Sequence, residues 1–182
     1  MRQPLVSVVI PAYNRSNTIV SCLRSVQEQT YKNWEAIVVD DGSVDTTCEE
    51  VERLAREDNR IRMIRHESNK GAQAARNSGI YAARGEWIAF LDSDDQFLPN
   101  SIESRLHVAM EQKVAVVHSS AFIVEEDGSK RKYNVPPMTG YVYKALLERE
   151  GPVFPGLLVL KEALKRIEFL DENIVAFQEW DT

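Results

Sequence analysis

Short apolar runs rich in β-branched residues alternate with amphipathic stretches over residues 5–117 of this 182-residue chain. The apolar runs predict β-strands over residues 5–10, 34–39, 61–65, 87–91 and 114–117. The intervening stretches space apolar side chains at helical intervals and predict helices over residues 17–29, 46–55, 72–83 and 100–109. This strand–helix order predicts an α/β fold, in which helices cover both faces of a mostly parallel central sheet.

The pattern changes after residue 119. Residues 121–124 and 130–135 flank a turn and predict a hairpin, residues 142–148 and 162–166 predict helices, and residues 154–160 predict another strand. We therefore divide the chain into an α/β part, residues 1–119, and a small mixed part that contains β-structure, residues 120–182.

The composition narrows the class of protein. The net charge is −6, which argues against nucleic acid as a partner, because phosphate binding favours a basic face. Two cysteines, Cys22 and Cys48, are too few for a disulfide framework and favour a reducing compartment. The apolar run at residues 5–10 is too short for a signal peptide, and no run approaches the ~20 residues of a membrane span. We expect a cytoplasmic protein whose membrane contact, at the inner face, is peripheral or lies beyond this segment.

Polar residues follow each of the first four predicted strands, at residues 11–15, 40–43, 69–71 and 92–95. In an open parallel sheet the carboxyl ends of the strands lie along one edge, and ligands bind beyond that edge. We therefore expect these four segments to meet and to form a single binding site.

The acidic segment Asp92-Ser93-Asp94-Asp95 gives the sharpest signal. Two aspartates separated by one residue point to one side of an extended strand end, and carboxylates held this close repel each other unless a cation lies between them. Hard carboxylate oxygens suit Mg²⁺ or Mn²⁺, which takes the rest of its shell from water and phosphate. The segment therefore predicts a metal site at Asp92, Asp94 and Asp95. The other interpretation is a helix N-terminus, where acids interact with the positive end of the helix dipole.

The other strand ends carry groups that suit a nucleotide. Asp41 can accept a hydrogen bond from a base N–H, and Gly42 allows the tight turn beside it. The ring of Tyr13 can pack on a base, and Arg15 can face a phosphate. Each also has a plain structural interpretation, as a capped turn, a rim aromatic or a solvated arginine. Lys70 and Arg76, near the start of the alanine-rich helix, are further candidates for base or phosphate contact.

Glu179 lies beside Trp180 near the end of the sequence. A carboxylate next to an apolar ring can have a raised pKa and act as a general base. Glu179 is therefore a candidate catalytic base.

Five motifs occur in order: Val6-Ser-Val-Val-Ile-Pro-Ala-Tyr-Asn14, Val38-Val-Asp-Asp-Gly-Ser-Val-Asp45, Asn69-Lys-Gly71, Ala75-Arg-Asn-Ser-Gly79 and Gly85-Glu-Trp-Ile-Ala-Phe-Leu-Asp-Ser-Asp-Asp95. With these motifs the chain resembles the family-2 glycosyltransferases of the GT-A fold, which is Rossmann-like. The resemblance extends over residues 5–112 and continues, more weakly, to residue 181.

The resemblance implies a nucleotide-diphosphate sugar donor, most often UDP-linked, a glycan or lipid-linked acceptor, and inversion at the anomeric carbon. It places Pro11, Tyr13 and Asp41 at the nucleobase, and the Asp92-Ser93-Asp94 element at the ribose and the diphosphate-bound Mn²⁺ or Mg²⁺. Glu179 occupies the position of the catalytic base, where the family commonly has aspartate. It also implies that residues 1–119 bind the donor, that residues 120–182 begin an acceptor-side part, and that this chain is the N-terminal part of a longer enzyme.

Three other classes of protein can be compared with this interpretation. A phosphoacceptor signalling domain also places an acidic pair after a strand, but it does not account for the cluster at residues 92–95. A dinucleotide oxidoreductase needs a glycine-rich turn after the first strand, and residues 11–15 lack one. A family member that binds the nucleotide sugar without turning it over is the strongest alternative.

Overall fold

A computed structural model of the chain describes residues 3–125, 127–140 and 152–173. The first half alternates strands and helices: β1 Val6–Ala12, α1 Ile19–Gln27, β2 Trp34–Asp40, α2 Thr47–Glu57, β3 Ile61–Arg65, α3 Ala72–Ala82, β4 Trp87–Phe90 and α4 Ser101–Gln112. The second half contains β5 Val116–His118, β6 Ala121–Val124, β7 Lys130–Tyr133, a 3₁₀ turn Phe154–Gly156, β8 Leu157–Leu160 and α5 Lys161–Arg166.

The central sheet has the strand order β3-β2-β1-β4-β8-β5. The first four strands in this order run parallel, and Val9 of β1 lies between Ile37 of β2 and Phe90 of β4. β8 is antiparallel to both of its neighbours, β4 and β5. The predicted α/β class with a mostly parallel sheet is therefore confirmed, together with a separate β6–β7 hairpin.

Two apolar cores flank the sheet because successive side chains of a strand point to opposite faces. Val8 and Ile10 pack with side chains of α1, α2 and α4, whereas Val9 packs on the other face with Ala75 and Ile80 of α3. On that second face the backbone of α3 lies unusually close to the side chains of β1. A Cβ atom on Gly79 would lie 2.4 Å from Val9 Cγ1, so only glycine lets α3 approach β1 to this depth.

The second half departs from the prediction at the strand expected over residues 154–160. Residues 154–156 form a 3₁₀ turn instead of the first part of a strand. β8 lies inside the main sheet, although it comes from beyond residue 119, so the division at that residue stays a prediction. The helix predicted at residues 142–148 lies outside the described residues. None of the helices described is long and apolar enough to cross a lipid bilayer.

Candidate active site

The carboxyl ends of β1, β2 and β4 lie side by side and open onto a cavity of about 240 Å³. Seven predicted site residues line this cavity: Pro11, Tyr13, Arg15, Asp41, Asp92, Ser93 and Asp94. The loop before α3 contributes Asn69 and Gly71, and the helix itself contributes Ala72 and Ala75. The expected meeting of the four strand ends is therefore present in the structure, and residues 41 and 94 face the same space.

The loop after β1 is tied to the loop after β2 by four hydrogen bonds. The Asn14 amide donates to Ser43 Oγ at 2.9 Å, and Asn14 Oδ1 accepts from the Val44 amide at 3.0 Å. The Arg15 amide donates to Thr47 Oγ1, and the Ser16 amide donates to Asp45. These bonds hold the backbone that presents Tyr13, whose ring is 44% exposed at the cavity rim.

Asp45 supports this arrangement through the first turn of α2. Its carboxylate accepts hydrogen bonds from Thr47 and from the Ser16 amide. Partial burial acts to raise the pKa of Asp45, but these hydrogen bonds outweigh it and lower that pKa to about 2. The carboxylate is therefore ionised at neutral pH and fixes the entry to α2.

Asp41 is 3% exposed and accepts several hydrogen bonds. Its two oxygens accept from the Lys70 amide at 2.9 and 3.0 Å and from the Gly71 amide at 2.8 Å. His66 Nδ1 lies 2.6 Å from Asp41 Oδ1. Asp41 thus joins the end of β2 to the start of α3 while it lines the cavity. The Lys70 side chain is exposed and is not among the residues that line the cavity.

Gly42 allows the loop after β3 to reach Asp41. Its φ is +81°, and a Cβ atom there would lie 2.9 Å from the carbonyl carbon of Ser68. Both the left-handed backbone and the close approach require glycine. The sequence motif therefore has a backbone role in addition to its carboxylates.

Arg76 contacts the acidic loop, residues 92–95, and does not line the cavity. Its side chain is 1% exposed, its Nη2 donates to Asp92 Oδ1 at 2.7 Å, and its guanidinium lies 4.1 Å above the Phe154 ring. The structure thus places Arg76 where it orients Asp92. Direct contact of Arg76 with a ligand stays a prediction.

The acidic loop presents its carboxylates at two depths. The Asp92 side chain is 16% exposed, whereas that of Asp94 is 43% exposed and lies 3.4 Å from Arg15 Nη2. Burial raises the pKa of the nearby Cys22 thiol, and the charges of Asp95, Asp92 and Asp94 raise it further. The charges of Asp92 and Asp94 are in part offset by Arg76 and Arg15.

The donor set fits a cation that binds together with phosphate. Within the described ranges, no three His, Cys, Asp or Glu side chains form a cluster able to hold a metal by themselves. Mg²⁺ and similar ions commonly use one or two carboxylates and complete their shell with phosphate oxygens and water. Asp92 and Asp94 supply such a pair, whereas Asp95 does not line the cavity. Glu179 lies outside the described residues.

Sequence reasoning missed two residues that shape the site, His66 and Phe154. His66 is the first residue after β3, a position that the strand-end rule could have flagged. Phe154 precedes β8 and reaches Arg76 only because β8 inserts beside β4. No local sequence pattern predicts the insertion of β8 beside β4.

The fold and the acidic cavity at its carboxyl edge define the class, a GT-A type glycosyltransferase fold. Staphylococcus aureus TarS 1-349 in complex with UDP superposes with a TM-score of 0.78, covering 96% of this chain and 52% of TarS at 22% identity. The mannosyltransferase PcManGT from Pyrobaculum calidifontis, in complex with GDP-Man and Mn²⁺, gives a TM-score of 0.74 over 99% of this chain and 51% of its own, at 21% identity. At these identities the likeness shows the fold alone.

The sequence itself gives the family. The pattern of Glycosyl transferase family 2 matches residues 7–167, so the chain belongs to this family, which confirms the resemblance. The Escherichia coli UDP-Glc:alpha-D-GlcNAc-diphosphoundecaprenol beta-1,3-glucosyltransferase WfgD is 36% identical over 137 residues, which are 75% of this chain and 53% of WfgD. The chain spans 44% and 53% of the length of two curated relatives, and the share ranges from 20% to 67% among others that it matches.

Proposed function

We propose that this chain is the donor-binding part of an inverting glycosyltransferase that moves a sugar from a nucleotide diphosphate, UDP in the first instance, to an acceptor hydroxyl. The acceptor would be a glycan or a lipid-linked saccharide of the cell envelope. The observation that carries the proposal is the shared cavity of Asp41, Asp92 and Asp94 at the strand ends. WfgD, whose name specifies UDP-Glc and a diphosphoundecaprenol acceptor, and TarS in complex with UDP support this substrate class.

The base would bind at the end of the cavity formed by Pro11, Tyr13 and Asp41. The half-exposed Tyr13 ring offers a face for stacking. Asp41 offers acceptor oxygens for a base N–H, and buried acceptors of this kind discriminate strongly between ligands that carry the matching donor and ligands that lack it.

The diphosphate would lie toward the acidic loop. Asp92 and Asp94 would hold a Mn²⁺ or Mg²⁺ ion together with the phosphates, with Asp95 beside them and Ser93 in the wall. The ion, when bound, neutralises charge on the departing nucleoside diphosphate. Arg15, which contacts Asp94 across the cavity, would contribute positive charge to the same group. Lys70, whose side chain is exposed in the loop before α3, would approach a phosphate from solvent.

Glu179 would remove the proton from the acceptor hydroxyl as that hydroxyl attacks the face of the sugar opposite the leaving group. One displacement needs one base and no covalent intermediate, unlike the two-carboxylate arrangement of retaining glycoside hydrolases. In this proposal the enzyme is cytoplasmic, and its membrane contact is peripheral and serves a lipid-linked acceptor.

Calorimetry of UDP binding with and without Mn²⁺ or Mg²⁺ tests the donor site. We expect cation-dependent binding that Asp94→Ala abolishes and that Glu111→Ala, a change at an exposed carboxylate on α4, leaves intact. Undiminished, cation-independent binding to Asp94→Ala would remove the metal assignment.

The second candidate function is donor binding without transfer, because the residues that line the described cavity belong to the proposed donor site. A transfer assay on this chain and on a longer product of the same gene separates the two. In the active product, Glu179→Gln should retain UDP binding and lose transfer. Retained turnover would place the base elsewhere.

A further inference from the structure

His66 is a buried imidazole at the carboxyl edge of the sheet, outside every motif used above. It directly follows β3, and its amide donates to the Asp40 carbonyl at 2.8 Å, which extends the pairing of β2 with β3. The side chain is 8% exposed. It does not line the cavity itself but contacts Asp41, which does.

Both ring nitrogens of His66 have polar neighbours. Nδ1 lies 2.6 Å from Asp41 Oδ1, and Nε2 lies 2.8 Å from the hydroxyl of Ser78 on α3. The Asp41 oxygens also receive the Lys70 and Gly71 amides, and an amide N–H can only donate. Because the carboxylate is the acceptor in this set, Nδ1 carries a proton and donates it. The Ser78 hydroxyl can then donate to Nε2.

We infer that His66 and Ser78 are positioning residues for nucleobase selection. Ser78 orients the imidazole, and the imidazole fixes the Asp41 carboxylate as an acceptor that faces the cavity. This inference rests on the proposed function and deepens it, because a fixed acceptor selects a base that presents a ring N–H, such as uracil. Cytosine has a lone pair at the corresponding ring nitrogen and would meet an acceptor with an acceptor.

Two substitutions separate this role from simple packing, one that keeps a donor at the position of Nδ1 and one that keeps the volume. In His66→Asn, an amide nitrogen replaces Nδ1 and can still donate to Asp41, whereas His66→Leu fills the space without any donor. Hydrogen bonds to charged groups contribute more than neutral ones, so we expect His66→Leu to weaken UDP binding about tenfold and His66→Asn to stay within about threefold of the unsubstituted chain. The ratio of UDP affinity to CDP affinity should fall in His66→Leu and be restored in His66→Asn.

The measurement is calorimetry on the 182-residue chain with Mn²⁺ and three ligands: UDP, CDP and inorganic pyrophosphate. Pyrophosphate reports on the cation and phosphate end alone, so its affinity should be the same in every His66 variant. His107→Leu, which changes an exposed histidine of α4, is the matched control and should leave all three affinities unchanged. Ser78→Ala provides an independent variant with a smaller loss, about threefold for UDP.

The outcomes distinguish a failure of the His66 role from a failure of the proposed donor-binding function. Absence of UDP binding in the unsubstituted chain overturns both. UDP binding with an unchanged UDP-to-CDP ratio in His66→Leu overturns the inference and leaves the proposed function standing. If His66→Leu does not fold, an unchanged ratio in Ser78→Ala overturns it instead. Equal losses of UDP and pyrophosphate in His66→Leu also overturn it, because they indicate general damage to the site.

Discussion

The pair formed by Arg76 and Asp92 should behave as one energetic unit. Arg76 is 1% exposed, and its 2.7 Å contact with Asp92 is made where water has little access. We choose Arg76→Met and Asp92→Asn as the perturbations. Methionine retains the aliphatic stem and can keep a sulfur contact with the Phe154 ring, so the charge is the main loss. Asparagine keeps an acceptor oxygen and loses the charge.

The expected magnitude follows from burial. Removal of one partner of a buried ion pair costs about 3–5 kcal/mol, because it leaves the other charge without compensation. The Asp92 side chain is 16% exposed, so water recovers part of this penalty, and we expect about 3 kcal/mol for Arg76→Met. A typical domain unfolds with a free energy of about 5–15 kcal/mol, so the variant should still fold.

Urea unfolding of the two single variants and the double variant measures the coupling. Residues in one ion pair show interaction energies of about 0.5–3 kcal/mol, and we expect a coupling of about 2 kcal/mol here. The double variant should therefore lose about 2 kcal/mol less than the sum of the two single losses. Additivity within about 0.5 kcal/mol would refute the idea that Arg76 serves mainly to hold Asp92.

Three other substitutions probe the surroundings of the cavity. Gly79→Ala places a methyl group 2.4 Å from Val9 Cγ1 and should destabilise the fold by about 1–3 kcal/mol in thermal unfolding. The loss should be smaller in the Val9→Ala background, and an equal loss in both backgrounds would contradict the clash. The pKa of Asp45 is about 2 in the folded state, below the unfolded value of about 3.9, so its contribution to the free energy of unfolding is present above pH ~4 and is lost toward pH 2. In Asp45→Asn the free energy of unfolding should therefore depend less on pH between ~4 and ~2, and an unaltered dependence would contradict this. Arg15→Ala should raise the affinity for Mn²⁺ alone by about twofold, because the guanidinium pairs with Asp94. The same variant should bind UDP more weakly, because it loses a positive charge near the diphosphate. A fall in Mn²⁺ affinity would contradict the first expectation.

The sheet before residue 112 was predictable because its signals are local. Each strand is a short apolar run, and each helix has its own periodicity, so the element order can be read without knowledge of distant contacts. The position of β8 could not be predicted in this way. Its four residues form an apolar run, and nothing in that run indicates insertion between β4 and β5, strands that lie about 70 and 40 residues earlier in the chain.

In the candidate site, the grouping of the strand-end residues was predictable, whereas their side-chain partners were not. Parallel topology brings the strand ends together, so the grouping of Asp41 with Asp92 follows from the element order. The partners of these carboxylates do not follow from it. His66 is 25 residues from Asp41 in sequence, and nothing local indicates that Arg76 is buried, since an arginine on a helix is usually solvated.

Helix α3 explains why these separate contacts form one site. The amide of Gly71, at its start, binds Asp41, while Arg76 binds Asp92 one turn later. The next residue, Asn77, donates from Nδ2 to the Leu170 carbonyl at 2.9 Å and to Glu172 at 2.8 Å, and its Oδ1 accepts from the Leu170 amide.

One helix thus contacts the proposed base end, the proposed diphosphate end and the segment that leads toward Glu179. Gly79 seats this helix directly on β1, the strand that lies between β2, which leads to Asp41, and β4, which leads to Asp92. A displacement of α3 should therefore change both ends of the donor site together. This accounts for the arginine, asparagine and glycine of the Ala75-Arg-Asn-Ser-Gly79 motif through three different contacts of a single rigid element.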